Sequence, residues 1–304
     1  MTPLEVERDP GVRPAVTWRG VLKVVSTLLL VRPALIAFRS FRAERAGFIP
    51  RHRAPRLGSA QFGIAQLREV SFESSAGNRL HGVFAPSSNG AAVILTHGTS
   101  GERSDLADEA KILSDAGFGV LAFDWPGHGQ SEGVIRWGEP ERQALASAVD
   151  WLSAEPSVNG ARIGAFGFSM GGYIVAQAAA RDPRLEAVAL AGTPHDAVAQ
   201  TKWMYRRGGV VSQWPALLGV RCGGMNLQEL VPEKVVKDIA PRAVLIVSGS
   251  EDEIVPPWMC RALFDAASDP KSFLDVPGAA HGGYSEAAPS SYPAALVKFF
   301  SRLL

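Results

Sequence analysis

Arg162-Ile163-Gly164-Ala165-Phe166-Gly167-Phe168-Ser169-Met170-Gly171-Gly172-Tyr173 is the stretch on which the fold turns. Its opening, Arg162 to Phe166, reads as a short apolar strand, and Met170 to Arg181 reads as a helix. Between them stands G-x-S-x-G, in the strand–turn–helix context of a nucleophile elbow. The reason for the pattern is steric. A serine held in a strained turn crowds the backbone two residues to either side, and glycine fits there. The turn lifts the hydroxyl above the strand end, where the following helix aims its N-terminal amides. Ser169 is therefore the candidate nucleophile.

The flanking sequence repeats this alternation. Val93 to Thr96, Val120 to Phe123, Ala187 to Leu190, Val244 to Val247 and Ser272 to Val276 are short apolar runs. Helical patterns at Asp105 to Ala116, Arg142 to Leu152, Pro257 to Ala267 and Pro293 to Leu303 separate or follow them. Strands spaced by helices of about 10–15 residues predict βαβ units and a mostly parallel sheet, an α/β fold. One interval departs from this rhythm. Residues 193–240 are too many for a structureless loop in a compact domain, and they are expected to form a helical insertion. Its aromatic and apolar surface suits a lid. Trp203, Tyr205 and Trp214, with His195 at the start of the insertion, are the expected substrate-binding residues.

A serine hydroxyl needs a base to take its proton. In this motif's setting the partners follow in the order serine, acid, histidine. Of the six histidines only His195 and His281 lie after Ser169. His281 sits in Gly278-Ala279-Ala280-His281-Gly282-Gly283, a small-residue loop after the Ser272–Val276 run, and so at the chemical edge of an open α/β sheet. It is the expected base. The acid must lie between them. Glu251, Asp252 and Glu253 are adjacent in a loop after the Val244–Val247 strand, and spacing alone does not choose among them. Asp196 and Asp238 are weaker rivals. Attack on a carbonyl also needs amides for the oxyanion. The amide of Met170, next after the serine, is one expected donor. The glycine-bracketed loop Thr96-His97-Gly98-Thr99-Ser100-Gly101 is the expected source of the other, with His97 bracing the loop.

The 304 residues are 46% hydrophobic and 20% charged, enough to bury one large core. A net charge of +1 excludes the strongly basic balance of a nucleic-acid binder. Cys222 and Cys260 form no CxxC or Cys/His cluster, so no metal site is expected. The charge is uneven. Residues 1–60 hold 11 Lys and Arg against 4 acids, which separates a basic arm, 1–60, from a body, 61–304. Glu5, Glu7 and Asp9 sit where a secretory signal would be positive, so a cytoplasmic location is expected. Val21, Val24, Val25, Leu28, Leu29, Leu35 and Ile36 share a helical face, followed by arginines. Two readings stand for this arm: a helix packed on the body, or a peripheral contact with an anionic membrane through residues 16–56.

The segments HGTSGER at 97–103, FDWPGHGQSEG at 123–133, GFSMGG at 167–172, GSEDEIVP at 249–256 and GAAHGGY at 278–284 resemble the α/β-hydrolase superfamily. The likeness is to its lysophospholipase-like esterases and dipeptidyl-aminopeptidase-like acyl hydrolases, over residues 67–304. It implies an eight-stranded, mostly parallel sheet and no cofactor. It selects Asp252 as the acid through the pattern G-x-x-D-x-x-V-P, and Thr99 as the first oxyanion amide. It gives Asp124 and His128 a bracing role. Trp125-Pro126 stands where the family usually has arginine. The implied activity is hydrolysis of a small-molecule acyl ester through an acyl-enzyme, with an apolar acyl group. Thioesterase, acyltransferase or aminopeptidase-like chemistry on the same triad is the alternative.

Overall fold

The computed structural model describes residues 18–56 and 58–304, apart from the side chains of residues 22–24, 27, 28 and 59. Glu5, Glu7 and Asp9, on which the expectation of no secretory signal rests, lie outside the described residues. So do residues 16 and 17 of the basic segment and the side chains of Val24 and Leu28.

The chain runs α1 (Trp18–Ala46), β1 (Arg51–His52), β2 (Arg68–Glu73), β3 (Arg79–Ala85), β4 (Ala92–Thr96), α2 (Ala107–Asp115), β5 (Gly119–Phe123) and β6 (His128–Gly129). It continues with α3 (Glu139–Ser153), β7 (Ile163–Phe168), α4 (Met170–Ala179), β8 (Leu185–Ala191), α5 (Ala197–Met204), α6 (Val210–Gly223) and α7 (Pro232–Val235). It closes with β9 (Ala243–Gly249), α8 (Pro257–Ala266), β10 (Lys271–Val276), α9 (Tyr284–Ala287) and α10 (Ser291–Leu303).

Eight strands form one sheet in the order β10-β9-β8-β7-β4-β5-β3-β2. All neighbours are parallel except β3, which runs antiparallel to both β5 and β2. The β2–β3 hairpin is the part of the sheet that the strand–helix rhythm does not announce. It is joined by a short turn instead of a helix, and only its alternation of Val70, Phe72, Leu80 and Phe84 signals it.

The parallel strands are covered on both faces, and their side chains divide with a period of two. Ile94, Leu121, Phe123, Val244 and Ile246 join the core under α3, α4 and α8, where Val149, Ile174 and Met259 lie. Val93, Leu95, Val120, Leu245 and Val247 join the core under α2 and α10, with Leu113, Leu296 and Phe300. Full burial of each large aliphatic side chain contributes about 1.5–3 kcal/mol. These two cores hold the carboxyl ends of β4, β7, β8 and β9 side by side, which is the edge where chemistry collects in open α/β sheets.

The second core contains a buried acid. Glu109 accepts a hydrogen bond from the Tyr292 hydroxyl at 2.9 Å. Burial pushes its carboxyl up to about 7. The unfolded chain releases this proton near pH 4.5, before the folded chain does, so the folded state loses stability as pH rises from there to about 7. Above that the cost is complete, about 3 kcal/mol. Glu109→Gln should therefore raise the melting temperature at pH 8, by roughly 5 °C, and leave it nearly unchanged at pH 4. Thermal scans of both proteins at the two pH values check this. Equal shifts at both would show that the carboxyl is not held protonated by its surroundings.

Candidate active site

Ser169 stands between β7 and α4 with φ 55° and ψ −115°, in the left-handed half of backbone space. Its neighbours explain why the turn is built from glycine. A Cβ on Gly171 would lie 2.2 Å from the Thr96 carbonyl oxygen, and one on Gly167 would lie 2.5 Å from the Gly172 nitrogen. The Ser169 amide donates to the Ala191 carbonyl of the adjoining strand, at 2.8 Å, which pins the turn to the sheet. Met170 is the first residue of α4 and is fully buried.

His281 reaches the serine from the loop after β10. Its Nε2 is 3.0 Å from Ser169 Oγ, and its Nδ1 is 2.7 Å from Asp252 Oδ2. Asp252 is fastened on its other side. Oδ1 accepts the amides of Ile254 and Val255, each at 2.8 Å. The Asp252 side chain is fully buried and that of His281 is 14% exposed, so the carboxylate is shielded while the imidazole still meets the cleft. The Phe168 ring packs on the imidazole with centroids 4.8 Å apart. Such an arrangement holds Nδ1 as a donor and leaves Nε2 free to accept a proton from the hydroxyl.

The other acids go elsewhere. Glu251 and Glu253 face solvent on either side of Asp252, and Asp238 is exposed. Asp196 caps α5 by accepting the Ala199 amide at 2.7 Å.

The loop after β4 lies directly against the serine: a Cβ on Gly98 would come within 3.1 Å of Ser169 Cβ. Thr99 follows, exposed, on the wall of the cleft. The basic arm braces this loop. Residues 51 and 52 pair with 128 and 129 as a small parallel sheet. Arg51 bonds the Ser100 hydroxyl, and Arg53 Nη2 donates to the Ser100 carbonyl at 2.8 Å. His97 holds it from behind: Nδ1 lies 2.8 Å from the Gly98 carbonyl, and Nε2 accepts the Trp125 amide at 3.1 Å. Burial lowers His97 to about 4, so it stays neutral and serves as a brace. His128 is lowered to about 3 by burial and by the nearby His97. Asp124 accepts the Arg103 amide at 2.7 Å, the Arg103 guanidinium at 2.6 Å and the Gln130 amide at 3.0 Å. Trp125, where the family usually has arginine, is fully buried and donates its ring N–H to the His97 carbonyl at 3.0 Å.

A cavity of about 210 Å³, with Thr99 of the β4 loop in its wall, opens between the body and the helices of residues 18–46 and 197–223. Thr99, Phe48, Trp137, Met204, Val220 and Glu44 are among its lining residues. The four aromatic and histidine positions expected to bind substrate do not line it. On α5 the lining side chains are Ala197, Gln200, Thr201 and Met204, spaced i, i+3, i+4 and i+7. Trp203 falls between them on another face, where its ring N–H donates to the Glu253 carbonyl at 2.9 Å. His195 packs on Trp258, with centroids 5.4 Å apart. Trp214 points outward from α6 and is 67% exposed. Tyr205 is half-buried near Glu44, and its hydroxyl favours the ionised form of that carboxyl.

Glu44 is the residue that sequence reasoning passed over. Burial raises its carboxyl, partly countered by the Tyr205 hydroxyl. The signal was present, since Glu44 is the only acid between Asp9 and Glu69. Glu229 is bound by Arg142, which also takes Glu139 at 2.6 Å. Among the described residues, no group of His, Cys, Asp and Glu is arranged to hold a metal ion, and both cysteines are free thiols.

Residues 77–234 match the X-Pro dipeptidyl-peptidase (S15 family) pattern. The uncharacterized protein MT2364 of Mycobacterium tuberculosis is 30% identical over 272 residues, covering 86% of this chain and 88% of that protein. The Pyrococcus furiosus esterase PF2001 superposes with a TM-score of 0.70 at 18% identity, covering 84% of this chain and 97% of that one. The esterase domain of a Rhodothermus marinus protein is 25% identical, with a TM-score of 0.57, over 77% of this chain and all of that one.

Proposed function

The chain is a serine-type hydrolase belonging to the X-Pro dipeptidyl-peptidase (S15) family of the α/β-hydrolase superfamily, and from that premise we propose that it cleaves a carboxylic ester with an apolar acyl group. Ser169 Oγ attacks the carbonyl carbon while His281 Nε2 takes the hydroxyl proton. The negative oxygen of the tetrahedral intermediate is met by the amides of Thr99 and Met170. Collapse expels the alcohol, which takes the proton from His281, and leaves the acyl group on Ser169. Water, deprotonated by the same imidazole, then releases the acid and restores the hydroxyl. The relay of 3.0 and 2.7 Å through His281 is the observation that carries this reading. The cavity beside Thr99, walled by Phe48, Met204, Val220 and Met225, supports the apolar acyl group. The helices of residues 193–240 serve as its lid.

Glu44 favours a second reading, an aminopeptidase-like acyl hydrolase. A half-buried carboxylate, the one ionisable group among the lining residues of a largely apolar pocket, suits a substrate whose acyl part carries an ammonium group. One comparison separates the two readings: p-nitrophenyl esters of increasing acyl length against aminoacyl p-nitroanilides, in the native protein and in Glu44→Gln. On the ester reading the neutral esters are turned over, and Glu44→Gln leaves their kcat/KM unchanged or raises it, because a desolvated charge is gone. On the aminopeptidase reading the anilides are preferred, and Glu44→Gln lowers their kcat/KM by roughly 10²-fold, the loss of a partly buried ion pair.

A further inference from the structure

Among the described residues, the helices of residues 18–46 and 197–223 leave an apolar surface uncovered. The second half of α1 packs along α6. Gly219 has no room for a side chain there, since a Cβ would lie 2.5 Å from the Phe41 carbonyl oxygen and 3.1 Å from Glu44 Cβ. Phe48 closes against Gly223 in the same way. The first half of α1, residues 18–35, is a helix roughly 27 Å long at 1.5 Å per residue. On it Trp18, Leu29 and Leu30 are 82%, 68% and 72% exposed, and Val31 and Leu35 are exposed as well. Leu29, Leu30 and Val31 are consecutive and so spread over about 200° of the helix, more than one packing neighbour can cover. The surface continues on α6 as Val211, Trp214 and Leu218, and reaches the mouth of the cavity at Met204, which is both exposed and part of its wall.

Charge identifies the occupant. The same helices and their connection hold 10 Lys and Arg and one acid, Glu44, which lies inside the cavity. Arg32, Arg39, Arg45, Arg207 and Arg221 are exposed and form no ion pair among the described residues. Among the described residues no helix is long and apolar enough to cross a membrane. Apolar side chains interleaved with unpaired cations suit the surface of an anionic bilayer. They do not suit a second copy of the chain, which would bring a like-charged face.

We infer that the α1–α6 surface docks on an anionic lipid bilayer, such as a cytoplasmic leaflet, and that the cavity draws its ester from that bilayer past Met204. The second half of this inference rests on the ester reading, and names the substrate class as a bilayer-partitioned ester.

The test uses the full chain with vesicles of phosphatidylcholine, alone or mixed with phosphatidylserine. The protein should sediment with the mixed vesicles at low salt and be released by high salt. Leu29→Asp with Leu30→Asp should weaken this binding at least about tenfold, and so should Arg39→Glu with Arg207→Glu. All four positions are exposed and outside the catalytic machinery, so turnover of soluble p-nitrophenyl acetate should hold in both variants. Hydrolysis of a fluorogenic ester embedded in the mixed vesicles should fall in step with binding. A protein that hydrolyses p-nitrophenyl acetate yet stays in the supernatant with mixed vesicles overturns the inference. So does a solution dimer that Leu29→Asp with Leu30→Asp dissociates, because the apolar surface then belongs to a second copy. Vesicle binding without hydrolysis of any ester supports the docking and defeats only the ester reading.

Discussion

Ser169→Ala should abolish ester turnover and all labelling by a fluorophosphonate probe, with a loss in kcat on the order of 10⁶. The expectation follows from the position of the hydroxyl. It is the atom His281 Nε2 faces, at 3.0 Å, and it stands at the head of α4 between the Gly98 loop and Met170. Without it the remaining machinery can only polarise a carbonyl for attack by water, which retains roughly 10³–10⁴ over the uncatalysed rate. The fold should not follow the activity. Alanine bears the same backbone strain at φ 55° as serine does, and the lost side-chain hydrogen bond is worth about 1 kcal/mol. Circular dichroism and the melting temperature should therefore stay close to those of the native protein. Probe labelling that survives the substitution would remove Ser169 from the reaction.

Asp252→Asn should lower kcat by up to about 10⁴ with little change in KM. The geometry explains the size of the effect. Oδ1 of Asp252 accepts two backbone amides, from Ile254 and Val255. An introduced carboxamide must keep its oxygen there, because its NH₂ group would oppose those two donors. The NH₂ then replaces Oδ2 and faces His281 Nδ1 at the place where the carboxylate stood, 2.7 Å away. A donor in that position forces Nδ1 to accept, so the ring carries its proton on Nε2 and has no lone pair for the Ser169 hydroxyl. The imidazole keeps its place and loses its function. Asp252→Ala would be a poorer probe, since it also leaves the buried Val255 amide unpaired, at about 1–3 kcal/mol, and strips the Ile254 amide of its partner. A rate within about tenfold of native in Asp252→Asn would mean that the tautomer is fixed by another group and that this carboxylate is not the orienting acid.

The acid shows where sequence reasoning reaches its limit. Glu251, Asp252 and Glu253 have the same chemistry and adjoining positions, and family resemblance alone favoured the middle one. Successive residues of a tight loop point in different directions, and only the packing of that loop against the His281 loop turns Asp252 inward and its neighbours to solvent. The cavity teaches a related lesson. The insertion's large aromatics are the expected substrate contacts, while the helical phase of α5 brings Ala197, Gln200, Thr201 and Met204 to the cavity that Thr99 shares. Hydrophobicity shows that a helix has something to bury. It does not show which face meets a partner from elsewhere in the chain.

The sequence by itself determined the sheet, the elbow at Ser169 and the histidine after the last strand. Each is a local matter: the period of apolar residues, the glycine a strained turn requires, and a small-residue loop at a strand end. Tertiary structure turned Asp252 toward His281, the acid that only the family pattern, and no spacing, singles out. It also decided that an arm residue, Glu44, shares a cavity with Thr99, and that among the described residues apolar side chains of α1 and α6 stay uncovered. Those facts depend on contacts between segments tens to hundreds of residues apart, whose relative orientation no local pattern records.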